Sequence, residues 1–232
     1  MAIVLSAVSS LIAAWFAYDL IRSAAAKPRP HTAAYAAGMT MFALAAFASF
    51  LSIAIGWTDV IYKTFYLFGG VLNVPFLALG SVYLVGGQRW GKLMLGLLLP
   101  FTLMGVLLVL PAAMGPIPDE ILPRGSEIFA SAGITVLVAI GSGIGATLLI
   151  VAGLASVFRF WRRSRALVAG NLLIVTGTFV AAAQRSVIDA TGSQELFTVT
   201  VLTAVSLIWA GYRLAAGKRT TILAPEPVAG TG

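Results

Sequence analysis

The side chains here that could do chemistry are the few polar ones set inside long apolar runs, where burial in hydrocarbon costs free energy. Asn73 stands two residues before Pro75 in such a run. The proline has no N–H, so a backbone carbonyl one turn earlier loses its donor. An amide at that spot could hold a ligand. Equally, it could bond across to a neighbouring helix or to the freed carbonyl. A second group lies at the ends of runs: Gln184 and Arg185 near Asp189, and Trp57, Asp59, Tyr62 and Tyr66. These could line a polar mouth in which Arg185 grips an anionic group through its planar fork. The competing reading is an interfacial aromatic belt beside an Arg185–Asp189 pair one turn apart.

Charge gathers in two further places. Asp19 precedes Arg22 by three residues, the spacing of a local ion pair, although a carboxylate there could also couple protons. The densest basic stretch is Phe158-Arg159-Phe160-Trp161-Arg162-Arg163-Ser164-Arg165. Arg159, Arg162, Arg163 and Arg165 suit the anionic headgroups of a lipid bilayer, at about 1 kcal/mol each, with the aromatics as anchors. A docked cytoplasmic partner is the alternative.

Several chemistries are excluded. Without cysteine there is no disulfide, thiolate metal site or iron–sulfur cluster. His31 is the sole histidine and lies in a basic loop between Pro30 and Thr32. No multi-histidine metal site, haem pair or carboxylate-oriented histidine base follows from it. No phosphate-binding loop or metalloprotease motif occurs. The expectation is a non-enzymatic chain with no bound cofactor. A formal charge of +7 could suggest nucleic acid. However, the basic residues sit at the ends of apolar runs, where membrane topology accounts for them, and no nucleic-acid partner is expected.

What must position these residues is a set of apolar runs near 20 residues long, enough to cross a hydrocarbon core of roughly 30 Å. The 232-residue chain is 59% hydrophobic and only 10% charged, with mean hydropathy +0.98. That is too little charge to cover a soluble globule. Seven runs are read, at 2–21, 33–55, 65–85, 93–114, 130–158, 166–185 and 196–216. Backbone groups in lipid must be satisfied internally, and the runs show no two-residue alternation. The class is therefore an all-α membrane protein of seven transmembrane helices, not a β-barrel. No basic residue precedes the first run, and Arg22, Lys27 and Arg29 follow it, which reads as an uncleaved helix. Prolines mark the segment from Gly115 to Glu127 as an irregular outer loop, and residues 220–232 read as a disordered tail.

The connecting segments alternate in charge. Twelve of the fifteen Lys and Arg residues fall after runs one, three and five and in the tail. Lys63, Arg124 and Arg185 lie on the opposite side with most of the acidic residues. The positive-inside rule then puts the N-terminus outside and the C-terminus in the cytoplasm, in a plasma (inner) membrane crossed many times.

The chain also hints at a repeat. After runs one and five comes a basic stretch, then an Ala-Gly pair, Ala37-Gly38 and Ala169-Gly170, then an aromatic nine residues on, Phe47 and Phe179. Runs three and seven both end in glycine-containing basic stretches, Gly86-Gly87-Gln88-Arg89 and Gly217-Lys218-Arg219. Residues 1–219 form one domain on this reading. Within it, 1–90 and 130–219 are parallel repeats, and 91–129 supply a linker run and the outer loop. A single linker helix lets two three-helix units share one orientation. Abundant alanine and glycine could also produce the match by chance. This three-plus-one-plus-three layout resembles the PQ-loop and SWEET-type transporters, and also microbial-rhodopsin-type bundles. The chain departs from both in motif. It has no Pro-Gln dipeptide, and Lys27, Lys63, Lys92 and Lys218 all lie at run ends or in loops, so no retinal lysine is present.

The expected function is binding of a small molecule between the helices, for transport or sensing. The alternative is an accessory or scaffold subunit of a larger membrane assembly, for which Gly141 and Gly145 offer a small-residue face. Asn73 and Pro75 are expected inside the bundle, sharing a face with Tyr66, Gly69, Gly70, Phe76 and Gly80. Topology is directly testable. Tags at the C-terminus and beside Arg162 should report cytoplasm and a tag at Asp119 the outside; a cytoplasmic tag at Asp119 refutes the seven-run layout.

Overall fold

The computed structural model describes residues 1–117, 124–160 and 165–222, excluding the side chains at 159, 160, 167, 185 and 215–222. Asp119, Arg162, Arg163 and the side chains of Arg159 and Arg185 therefore lie outside the described residues. Among those described, the secondary structure is helical, with one isolated bridge, Met114 to Phe129, in place of any sheet.

Local chemistry sets the helix boundaries. α1 (Ala2–Ala26) stops at Lys27, which takes the extended backbone that a following proline imposes. α2 (Pro30–Ile55) opens with proline, whose missing N–H is not needed there, and closes at Gly56. Thr58 caps α3 (Asp59–Thr64) by accepting from the Ile61 N–H at 3.3 Å. Phe65–Leu72 then runs as a π-helix into α4 (Asn73–Val109). Pro75 lacks the N–H that the Val71 carbonyl would take in an α-helix, and the wider turns just upstream accommodate that loss. Next come α5 (Gly125–Ile128), α6 (Ala132–Phe160), α7 (Arg165–Ala182), α8 (Gln184–Thr191) and α9 (Gln194–Ile222).

The long stretch from Asp59 to Val109 is a hairpin. At Gly87 the backbone takes φ 81° and ψ −175°, a region open only to glycine. The two arms then run antiparallel. Lys63 Nζ donates to the Leu110 carbonyl at 3.0 Å, the Tyr83 ring lies on Gly91, and Gly105 packs on Val71 and Leu67. The loop expected after Val85 needs correction. Arg89 and Lys92 stand in the first turns of the second arm, and only Gly87 leaves the helix. A second correction concerns the sixth run, which ends at Ala182. Ala183 turns, and Gln184 and Arg185 open α8 instead. At the C-terminal side, α9 continues through Ile222, past the start of the stretch read as an irregular tail, and residues 223–232 lie outside the described residues.

Five helical stretches are long and apolar enough to cross a bilayer, among them Asp59–Val109, and Val168–Ala182 is a shorter apolar one. Neighbours follow chain order. α1 packs on α2, α2 on the hairpin, the hairpin on α6, α6 on α7, α7 on α9, and α9 returns to α1. Only the first arm of the hairpin, residues 59–86, belongs to this ring. The second arm lies behind it, with Leu93, Leu97, Leu103 and Leu107 exposed, as suits a face turned to lipid.

At mid-depth and in the half remote from the basic segments, small residues hold the ring together. Ser10 Oγ donates to the Ala46 carbonyl at 2.8 Å, joining α1 to α2, and Ser142 Oγ donates to the Gly70 carbonyl at 2.7 Å, joining α6 to the π-helix. A Cβ added at Gly141 would stand 2.9 Å from the Val71 oxygen, and one at Gly69 would stand 2.9 Å from Ala45. Interhelical hydrogen bonds in membranes are worth roughly 0.6 kcal/mol each, so close packing dominates. Asn73 and Pro75 are buried. Their expected face divides between two neighbours: Gly69 and Gly80 meet α2, while Gly70 meets α6.

Two contacts differ in how they would yield. A Cβ at Gly80 would fall 2.7 Å from the Tyr35 ring, and one at Gly211 would fall 2.5 Å from the Gly170 carbonyl oxygen. A ring can swing aside; a helix backbone cannot. Gly211→Ala should therefore destabilise by about 1–3 kcal/mol, and Gly80→Ala by less. Thermal melts in detergent check the order, and an unchanged melt for Gly211→Ala would show the close approach to be wrong.

Candidate functional site: a chamber at the basic end

The ring opens toward the basic segments. A cavity of about 550 Å³ lies there, and all six helices of the ring line it. Its residues recur at intervals of three and four: Phe16, Leu20 and Ser23 on α1, which Lys27 follows; Tyr35 and Met39 on α2; Leu77, Ser81 and Leu84 on the hairpin's first arm. The pattern continues with Leu149, Ala152 and Ser156 on α6, Asn171, Ile174 and Thr178 on α7, and Ile208 and Tyr212 on α9. Each set is one helix face. The volume is that of a typical small-molecule site.

The chamber is graded in chemistry from mouth to floor. Lys27, Arg29 and His31 stand at the mouth, where α1 gives way to α2. Hydroxyl and amide groups come next, including Ser156 and Asn171. The Tyr35 and Ser81 hydroxyls lie 2.9 Å apart, tying α2 to the hairpin across the wall. Deeper positions are mostly apolar, with Phe16, Met39, Leu149 and Ile208, and include one hydroxyl, Thr178, whose proton goes to the Ile174 carbonyl at 2.8 Å. No carboxylate belongs to the described lining. The nearby Asp19 instead accepts from Arg213 at 3.2 Å, which ties α1 to α9. The spacing had pointed to Arg22 as its partner. Arg22 lies over the Tyr18 ring instead, at 5.7 Å.

Asn73 stands one turn beyond Leu77 on the same arm, close to the face that lines the chamber. It is 6% exposed, and its Oδ1 has no hydrogen-bond partner among the described residues. A buried acceptor without a donor is destabilising. Here it sits where the chamber gives way to the packed half of the ring.

The other residues singled out in the sequence are distributed differently. Trp57, Tyr62 and Tyr66 come together with Phe129, at ring-centroid separations of 5.4 Å for Trp57–Tyr62 and 5.0 Å for Tyr66–Phe129. Tyr62 is fully buried, so these rings form a packed cluster at the hairpin–α6 interface. Asp59 is exposed at the start of α3. Gln184 lies half-buried on α8, which packs on α9 and α7, whereas α3 packs on α2 and the hairpin. Asp189 accepts from Arg124 at 3.3 Å. Arg165 is exposed at the start of α7, at the basic end of the bundle.

No family model, characterised protein or solved structure matches this chain. The functional reading therefore rests on geometry.

Sequence reasoning did not find most of the chamber's residues. Six of the seven runs carry a stripe at three- and four-residue spacing, and all of these but the third have a polar group toward the basic end. In a membrane helix the lipid face is as apolar as the core face, so such a stripe has little contrast. Because the chain has no cysteine, the chamber can be probed by single substitutions. Ser156→Cys and Asn171→Cys should react readily with a water-soluble thiol reagent, and Ala46→Cys, in the packed half, should not. Equal labelling of all three would refute an open chamber.

Proposed function

We propose that this is a transporter that crosses the membrane seven times and carries a small organic solute along the centre of its six-helix ring. The observation that carries this reading is the chamber itself: six helices give one face each to a cavity open at the basic end, with close-packed helices beyond it. A scaffold subunit has no need of such a space.

The count of seven rests on the hairpin, whose two arms are each long enough to cross a bilayer, and on α7. With 18 residues, α7 is about 27 Å long at 1.5 Å per residue, close to the core thickness. The basic segments put the chamber mouth in the cytoplasm under the positive-inside rule.

A parallel repeat is supported by packing as well as by spacing. Gly38 and Gly170 hold equivalent places, as do Gly80 and Gly211, at a nearly constant offset in sequence. Gly38 meets Leu77 on the third helix of its triplet, and Gly80 meets Tyr35 on the second. In the other triplet Gly211 meets the Gly170 carbonyl and Ile174. The same offset pairs Met39 with Asn171, Leu77 with Ile208 and Ser81 with Tyr212, and all six line the chamber. Two alike triplets around a shared cavity suit alternating access, in which one unit rocks against the other. The chamber is then the inward-facing state, and Asn73 lies where the path must open.

The test is protein-dependent uptake. Reconstituted vesicles are exposed to a mixture of small carboxylates, sugars and amines, and their contents are read by mass spectrometry. At least one solute class should enter, and Ile208→Trp, which fills the chamber, should stop it. Uptake that is indifferent to Ile208→Trp, or no uptake of any class, counts against transport through this cavity.

A further inference from the structure

We infer that the chamber takes an organic anion: a single carboxylate-like head at the mouth and an apolar body on the floor. The inference rests on the reading of the cavity as a binding chamber and goes beyond it by naming the solute.

Charge is the first argument. The described lining holds Lys27 and Arg29 and no carboxylate. A cationic solute would lose its hydration and meet no opposite charge, which is costly in a largely apolar site. The one acidic residue of α1, Asp19, is engaged by Arg213. α2 begins at Pro30 beside the mouth with no acidic residue in its first turn and no side-chain cap. Its N-terminal end carries positive partial charge close to the opposite pole of α1, which ends at Ala26, so the side chains of Lys27 and Arg29 carry the charge argument.

Floor chemistry is the second argument. Leu20, Met39, Leu149 and Ile208 offer a solute dispersion contact and no hydrogen bonds. Thr178 can accept one hydrogen bond there, so a sugar would leave most of its buried hydroxyls unmatched, each at a cost in free energy. A hydrocarbon or aromatic body would not. Hydroxyls at the intermediate depth, with the Tyr35–Ser81 pair among them, can serve the inner edge of the head. All the cationic groups of the described lining stand at the mouth, and the floor is apolar apart from Thr178, which favours a head-outward orientation of the solute.

Size favours a free solute over a membrane lipid, since a two-chain phospholipid exceeds a cavity of about 550 Å³. The experiment uses the full chain in nanodiscs of phosphatidylcholine. Three probes carry the same trifluoromethyl-diazirine on a benzene ring and differ only in the head: benzoate, benzyl alcohol and benzylamine. After irradiation, labelled residues are mapped by mass spectrometry. Benzoate should label Leu77, Leu149 or Ile208, and unlabelled benzoate should compete. Lys27→Gln with Arg29→Gln should weaken that labelling about tenfold, the scale of losing charge-assisted contacts, with no change in thermal melt. Preferential labelling of these positions by the amine or the alcohol overturns the ligand class and leaves the chamber standing. Absence of all three probes from the lining overturns the chamber as well. Loss of benzoate labelling when phosphatidylglycerol replaces part of the disc lipid assigns the site to a lipid headgroup and overturns the free solute.

Discussion

How closely the helix backbones approach one another governs the rest of this structure. In lipid, apolar side chains gain little by leaving their surroundings, so helices associate through packing and a few hydrogen bonds. Where Gly69 and Gly141 stand at contacts, the neighbouring helix comes so near that a single added carbon would collide with it. Ser10 and Ser142 then reach across to carbonyls of the adjacent element. These contacts pull one half of the ring tight. Toward the basic end α7 and α9 still meet closely, at Gly170 and Gly211, but larger side chains such as Tyr35, Leu77 and Tyr212 face the centre, and the six helices leave a chamber between them.

The hairpin's first arm joins the two regimes. Pro75 removes a donor from its middle, and the turns before it widen into a π-helix. Gly141 of α6 lies against the Val71 carbonyl, the group that proline leaves without its usual partner. Ser142, the next residue, bonds to the Gly70 carbonyl at 2.7 Å. An irregular stretch of backbone at this depth is tolerated only because another helix covers it. Further along the arm the helix is regular again, and Leu77, Ser81 and Leu84 turn to the chamber. Asn73, at the junction, keeps a buried side-chain oxygen with no hydrogen-bond partner among the described residues.

Electrostatics divides along the same axis. Lys27, Arg29 and His31 gather at the mouth, and Asp19 is drawn to Arg213 on the last helix of the ring. At the other end, Arg124 draws in Asp189 and Glu127 around the short α5. All of these side chains but Asp19 are well exposed in the two ion-pair groups, where solvent screening keeps each pair weak. Their effect is to orient ends of elements, while the apolar contacts of Tyr62, Val71, Ile128 and Leu137 fill the hairpin–α6 interface.

Helical class and the apolar, lipid-suited character of the chain were legible in the sequence, because length and hydropathy of a run are local properties. The burial of Asn73 and Pro75 was legible for the same reason: an amide at mid-depth has few places to go. Local signals failed where geometry is set by partners. Nothing in the run of residues from Gly86 to Lys92 says that one glycine alone makes the reversal, since that depends on Tyr83 lying on Gly91 and Lys63 reaching Leu110. Trp57, Tyr62 and Tyr66 read in the sequence as an interfacial belt or as a polar mouth, and only the position of Phe129 makes them a packed cluster. The chamber depends most on tertiary structure. Its lining comes from six separate helices, and in a chain apolar on every face the side turned inward is decided by which backbones can approach and which cannot.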